Sequence, residues 1–159
     1  EAEPSVYFYR LQMGDHVQTG LAACYSIDEY DRDLIRKHER TRRDKEDDRT
    51  KHMLALGAQT GPVFLTYRAN AAIDAAAADV TTRKPLFAFT AADGVSHTMW
   101  RVTGGECEAV VAAFRQIPAL YIADGHHRAA SAVPTTGSLY GECLSSCHYG
   151  RRMGAWAQR

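Results

Sequence analysis

Between Asp28 and Lys51, nine acidic and nine basic residues occupy 24 positions. Such a segment cannot supply a hydrophobic core, because a charge taken out of water must find a partner and hydrogen bonds to replace it. The core must therefore come from the flanking sequence. With 45% hydrophobic residues overall, 12 glycines and 5 prolines, that sequence reads as globular rather than disordered, collagen-like or low-complexity. A length of 159 residues suits one domain of ordinary size. Basic and acidic side chains number 19 each, so no net charge draws the chain to nucleic acid or to an anionic membrane. No apolar run approaches the ~18 residues of a membrane span. Nothing at the N-terminus reads as a signal peptide and the chain starts at Glu1, which predicts a processed or incomplete product. Cys24, Cys107, Cys143 and Cys147 lack framework spacing, which points to a soluble, cytoplasmic protein kept reduced.

The flanks are organised by recognisable local signals. Val6 to Gln12 is rich in β-branched and aromatic residues, Met13-Gly14-Asp15-His16 supplies turn residues, and Val17 to Ile27 resumes an extended pattern; together they predict an N-terminal β-hairpin. The second half of the charged segment, Asp44 to Leu56, predicts a helix with Thr41 or Asp44 as cap, Gly57 as stop, and Met53, Leu54 and Leu56 facing the core. Val63 to Tyr67 reads as a strand, and Asn70 to Ala78 as an alanine-rich helix. Pro85 to Phe89 and His97 to Val102 come next as strands around an Asp93-Gly94 turn. Glu108 to Ile117 places Val110, Val111, Phe114 and Ile117 on one helical stripe, which Pro118 ends. Ala119 to Ala123 is a short buried strand, Asp124-Gly125 a tight turn, and His126 opens another helix. Strands and helices alternate without a repeating unit, so the expected class is α+β with a mixed sheet over residues 1–132. Val133 to Arg159, glycine- and cysteine-rich, reads as a poorly ordered tail.

Two stretches carry chemistry. In Leu120 to Ala132 a strand runs through Asp124-Gly125 directly into a helix. The first N–H groups of that helix have no internal partners, its dipole puts partial positive charge there, and Gly125 lets an anion approach the backbone. His126, His127 and Arg128 add side-chain donors at the same point, which makes a phosphate cradle without a P-loop lysine. Asp124 is placed to hold a magnesium ion on those phosphates. The plainer reading is a capped turn with surface histidines. In Ile35 to Arg49, the plainer reading is a solvated charged helix. Against it, His38 and Glu39 offer a base, and Arg40, Thr41 and Arg42 offer donors for a carboxylate or phosphate. Two anion-seeking helix starts suit phosphoryl transfer, which needs charge stabilised on both donor and acceptor. Cys143-x-x-x-Cys147-His148 resembles half of a zinc site, but no matching pair exists and it is not read as a metal site. Trp100, His97 and His52 read as structural.

The combination of IRKHERTRRDKEDDR, TGPVFLTYR, HTMWRV and LYIADGHHRAASA resembles a bacterial and archaeal domain-of-unknown-function family related to the ParB/sulfiredoxin-like free serine kinases. The resemblance runs in order from about Ser5 to Ala132. It implies a ParB/sulfiredoxin-like α/β core in which Asp124, Gly125, His126, His127 and Arg128 form the phosphate turn. His38, Glu39, Arg40 and Thr41 match the charged motif, with Glu39 the candidate base for the hydroxyl of free L-serine. The implied reaction makes O-phosphoserine from serine and pyrophosphate, ADP or ATP, with Mg²⁺. Against that family the chain reads as a fragment whose tail comes from a shifted reading frame, which leaves its own activity in doubt. The alternatives are a ParB-like nucleotide-binding module and an inactive truncated remnant; DNA binding is disfavoured by net neutrality and by the lack of a helix-turn-helix pattern.

Overall fold

The computed structural model describes residues 3–139 and 152–158. In chain order the elements are β1 Ser5–Met13, β2 His16–Ser26, α1 Ile27–Asp31, β3 Ile35–Arg36, α2 Arg43–Leu56, β4 Val63–Thr66 and α3 Ala71–Val80. They continue with β5 Phe87–Thr90, β6 Ser96–Thr103, α4 Gly104–Phe114, β7 Leu120–Asp124, α5 His126–Leu139 and β8 Arg152–Gln158. The α+β class stands. The chain divides into two compact units, one of residues 1–23, 67–118 and 157–159, the other of residues 24–66 and 119–156. Length alone suggests one domain; it does not register a division in which each unit is assembled from separate stretches. No described helix is long and apolar enough to cross a membrane.

In the first unit, the expected hairpin forms with Met13 opposite His16 and Gly14 at φ 57, a left-handed conformation that suits glycine in the tight loop. Strand β1 also pairs antiparallel with β6, and β6 with β5, giving the strand order β2-β1-β6-β5. Alternation along β1 and β6 buries Val6, Phe8, Trp100 and Val102, which pack with Leu21, Val80 of α3, and Cys107 and Val110 of α4. Trp100 is core, as its sequence context indicates, and its indole N–H donates to the Arg83 carbonyl at 2.9 Å. Helix α3 starts where Asn70 accepts from the N–H groups of Ala72 and Ile73 at 3.0 and 3.3 Å. Helix α4 begins at Gly104, earlier than the expected Glu108, and ends at Phe114.

In the second unit, β7 is flanked by β3, parallel to it, and by β4, antiparallel with an irregularity between Phe64 and Leu65. Ile35, Val63, Leu65 and Ile122 are fully buried there. Helix α2 packs on α5, and the Ser131 hydroxyl, donating to the Glu46 carbonyl at 3.0 Å, ties the two together. Two details of α2 depart from expectation. Neither Thr41 nor Asp44 caps it: Arg42 holds the cap position without a side-chain bond, and the Asp44 carboxylate instead accepts from the Arg42 guanidinium at 2.8 and 3.1 Å. Leu54 and Leu56 are exposed, and only Met53 of the expected trio is buried, because so polar a helix turns a single narrow edge inward. Gly57 does end it, at φ 63. Ile27 starts a short helix rather than ending β2, since the Ser26 hydroxyl accepts from the Glu29 N–H at 3.4 Å. Helix α5 continues past Ala132 to Leu139, and β8 lies within the stretch read as a tail. Cys143, Cys147 and His148 lie outside the described residues.

Candidate functional site

Parallel pairing of β3 with β7, Ile35 opposite Leu120 and Arg36 opposite Tyr121, makes both chains leave the sheet at the same end. Beyond β3 the chain runs through Lys37-His38-Glu39-Arg40-Thr41, and beyond β7 through Gly125-His126-His127-Arg128. The carboxyl ends of parallel strands are the customary place for ligands in α/β sheets, since loops and helix starts gather there. Here they enclose a cleft of about 570 Å³ lined by Tyr30, Lys37, His38, Glu39, Arg40, Thr41 and His126.

His126 is the centre of this cleft. Its ring meets His38 edge to face with centroids 4.3 Å apart, and its Nε2 lies 3.3 Å from His38 Nδ1. Glu39 sits beside both rings, with 3.9 Å from Oε2 to His126 Nδ1 and 3.9 Å from Oε1 to His38 Nε2. The His126 side chain is 10% exposed, against 58% for His38 and 65% for Glu39. Burial, and then the neighbouring His38, push the His126 imidazolium below its ordinary range, with Glu39 and Asp124 opposing. His126 is therefore neutral near pH 7 and has a lone pair to offer.

The rest of the lining carries positive charge and one phenol. Lys37 Nζ stands 3.8 Å from the centroid of the Tyr30 ring, a cation–π contact, and Arg40 and Thr41 complete the lining. Tyr30 is pushed up to about 12, first by burial and then by the charges of Glu46 and Asp31, so its hydroxyl stays protonated. Sequence reasoning singles out neither Lys37 nor Tyr30. Tyr30 could have been found through the Ser26-x-x-Glu29 capping signature, which announces the short helix that carries it.

The rest of the turn is built around Arg128. Its guanidinium pairs with Asp124 one helical turn back. A Cβ at Gly125, whose φ is 92, would come within 2.8 Å of Arg128 Nε, and one at Gly61 within 2.8 Å of Arg128 Cδ. Two glycines thus leave the space this side chain fills. The Gly125 carbonyl takes the first helical bond, from the Ala129 N–H at 2.9 Å. By helix geometry the N–H groups of His126, His127 and Arg128 then have no partner within the helix. His127 Nδ1 and Arg128 Nε are enclosed yet have no hydrogen-bond partner among the described residues. Buried polar atoms of that kind are uncommon and are frequently completed by a ligand, ion or water.

Of the residues expected to act, His38, Glu39, Arg40, Thr41 and His126 line one cleft, across 88 positions of sequence between the two histidines. Asp124, Gly125, His127 and Arg128 adjoin it through the turn without lining it. Arg42 faces Asp44 instead, and by that contact holds the Asp44 carboxyl below its usual range. No similar chain is found among curated proteins or among solved structures. Residues 1–140 match the model of the family described as protein of unknown function (DUF1015), and the chain belongs to that family.

Proposed function

We propose that the cleft is the reaction centre of a phosphotransferase that makes O-phosphoserine from free L-serine and a pyrophosphate or nucleotide donor. The observation that carries this reading is the convergence of the two anion-seeking motifs at one end of the second unit's sheet. Phosphoryl transfer depends mostly on positioning and charge stabilisation, and both strands deliver donors to that end. The N–H groups at the start of α5, with Arg128 and His127, suit the donor's phosphates. Lys37 and Arg40 suit the serine carboxylate or the transferred group, and Thr41 can donate to either.

Glu39 is the candidate base. It takes the serine hydroxyl proton as that oxygen bonds to the terminal phosphorus, and the bridging P–O bond breaks to release the remainder of the donor with its electron pair. The Asp124 carboxylate, exposed at the end of β7, fits the one-carboxylate requirement of a magnesium ion that arrives with phosphate oxygens. That ion would supply charge neutralisation on the donor.

The test is direct. The chain is incubated with L-serine, Mg²⁺ and in turn pyrophosphate, ADP and ATP, and phosphoserine is sought by mass spectrometry. Product is expected with at least one donor, and Arg128→Ala and His127→Ala are expected to lose it while retaining the native circular dichroism. Undiminished turnover in both variants would remove the phosphate turn from the mechanism.

A further inference from the structure

The three groups at the heart of the cleft are two imidazoles and a carboxylate. One ligand atom from each of His38, Glu39 and His126 can be chosen so that all lie within 4.8 Å of one another. A tetrahedral ion with ligands at about 2.1 Å holds its donors about 3.4 Å apart. The His38 Nδ1–His126 Nε2 separation of 3.3 Å matches that spacing, and Glu39 comes to 3.9 Å from the other nitrogen of each ring, so a ring turn or a shift of the carboxylate brings the third donor in. His38 and Glu39 are exposed enough to turn toward a common centre, whereas His126 is held by its place at the head of α5.

We infer that His38, Glu39 and His126 form a binding site for a divalent first-row transition metal of the Zn²⁺ class. Imidazole nitrogen selects such ions over Mg²⁺, which prefers an all-oxygen shell. Three protein ligands leave the fourth position open, as in sites that bind water or substrate rather than closed structural ones. That position opens onto a cleft also lined by Lys37 and Arg40, so an anionic oxygen such as phosphate suits it. The site uses a different carboxylate from the Asp124 proposed for magnesium and does not rest on the transfer reading. Glu39 cannot be ligand and base at once, so the metal-loaded chain would be unable to take the serine proton.

The experiment needs neither donor nor acceptor. The full chain, stripped with chelator, is titrated with ZnCl₂ by calorimetry and with Co²⁺ by visible absorption, in excess Mg²⁺. Binding of one equivalent, with intense tetrahedral-type cobalt bands, is expected. His38→Ala and Glu39→Gln, both at exposed positions, are expected to weaken it by about tenfold or more. His52→Ala, and Cys143→Ser combined with Cys147→Ser, should leave it unchanged. Binding that survives His38→Ala and Glu39→Gln, that disappears with the two cysteines, or that is absent in the wild-type chain would overturn the assignment. Because phosphoserine formation is not the readout, failure here leaves the transfer reading standing, and the converse also holds.

Discussion

The two units handle polar groups in opposite ways. In the first, polar groups are paired: the buried Trp100 donates to the Arg83 carbonyl, and the exposed Arg83 guanidinium lies against Asp79 and against Glu106 at 2.7 and 2.8 Å. In the second, the end of β7 holds a left-handed glycine, two enclosed nitrogens without partners among the described residues, and a histidine beside another histidine and a carboxylate. Unmet polar capacity costs stability wherever it is buried, so its concentration at one sheet end marks a surface shaped for something other than folding.

That contrast is breakable at graded cost. Phe8→Ala, at a site 1% exposed, should remove about 3–5 kcal/mol of stability by urea denaturation, the largest effect expected. Arg128→Ala should do the reverse: stability changes by about 1 kcal/mol or less while phosphoserine formation drops by about 10²–10³-fold, read in the same preparation. Comparable stability losses in the two variants would erase the distinction. Gly125→Ala should cost about 1–2 kcal/mol, because a side chain is strained at φ 92 and its Cβ collides with Arg128. It should also displace the guanidinium and lower turnover.

A smaller effect concerns pH. The folded state holds His126 below its ordinary 6.5, so the unfolded chain takes up that proton first as pH falls. The contribution of His126 is fully present above about pH 6.5 and is lost as pH drops through the folded value. Urea midpoints at pH 7.5 and pH 5 should therefore differ less in His126→Gln than in the parent chain. Smallest of all is Arg83→Met, whose exposed ion pairs should give a barely measurable change, diminishing further in salt.

Local signals in the sequence are sufficient where the structure is locally determined. The Gly14-Asp15 loop, the Asn70 cap, the Gly57 stop and the strand–turn–helix at Asp124 each arise from a few adjacent residues. The features that escape such signals are non-local. Strand β3 is two residues long, too short for any periodicity, yet its parallel pairing with β7 is what brings His38 to His126. The division into two units depends on which distant stretches associate, and no stretch announces it. Leu54 and Leu56 mislead because an apolar residue on a charged helix reads as an anchor whether or not a neighbour exists to receive it. The candidate site is therefore legible as two separate motifs, and the cleft they share is not.

The most direct measurement is a titration of the histidine-¹⁵N-labelled chain with pyrophosphate in the presence of Mg²⁺, monitored by NMR. Saturable shifts of the His126 and His127 ring resonances are expected, with those of His16 and His52 unmoved. Unmoved His126 and His127 resonances at concentrations where a phosphate site would fill, or shifts confined to His16 and His52, would contradict the phosphate turn.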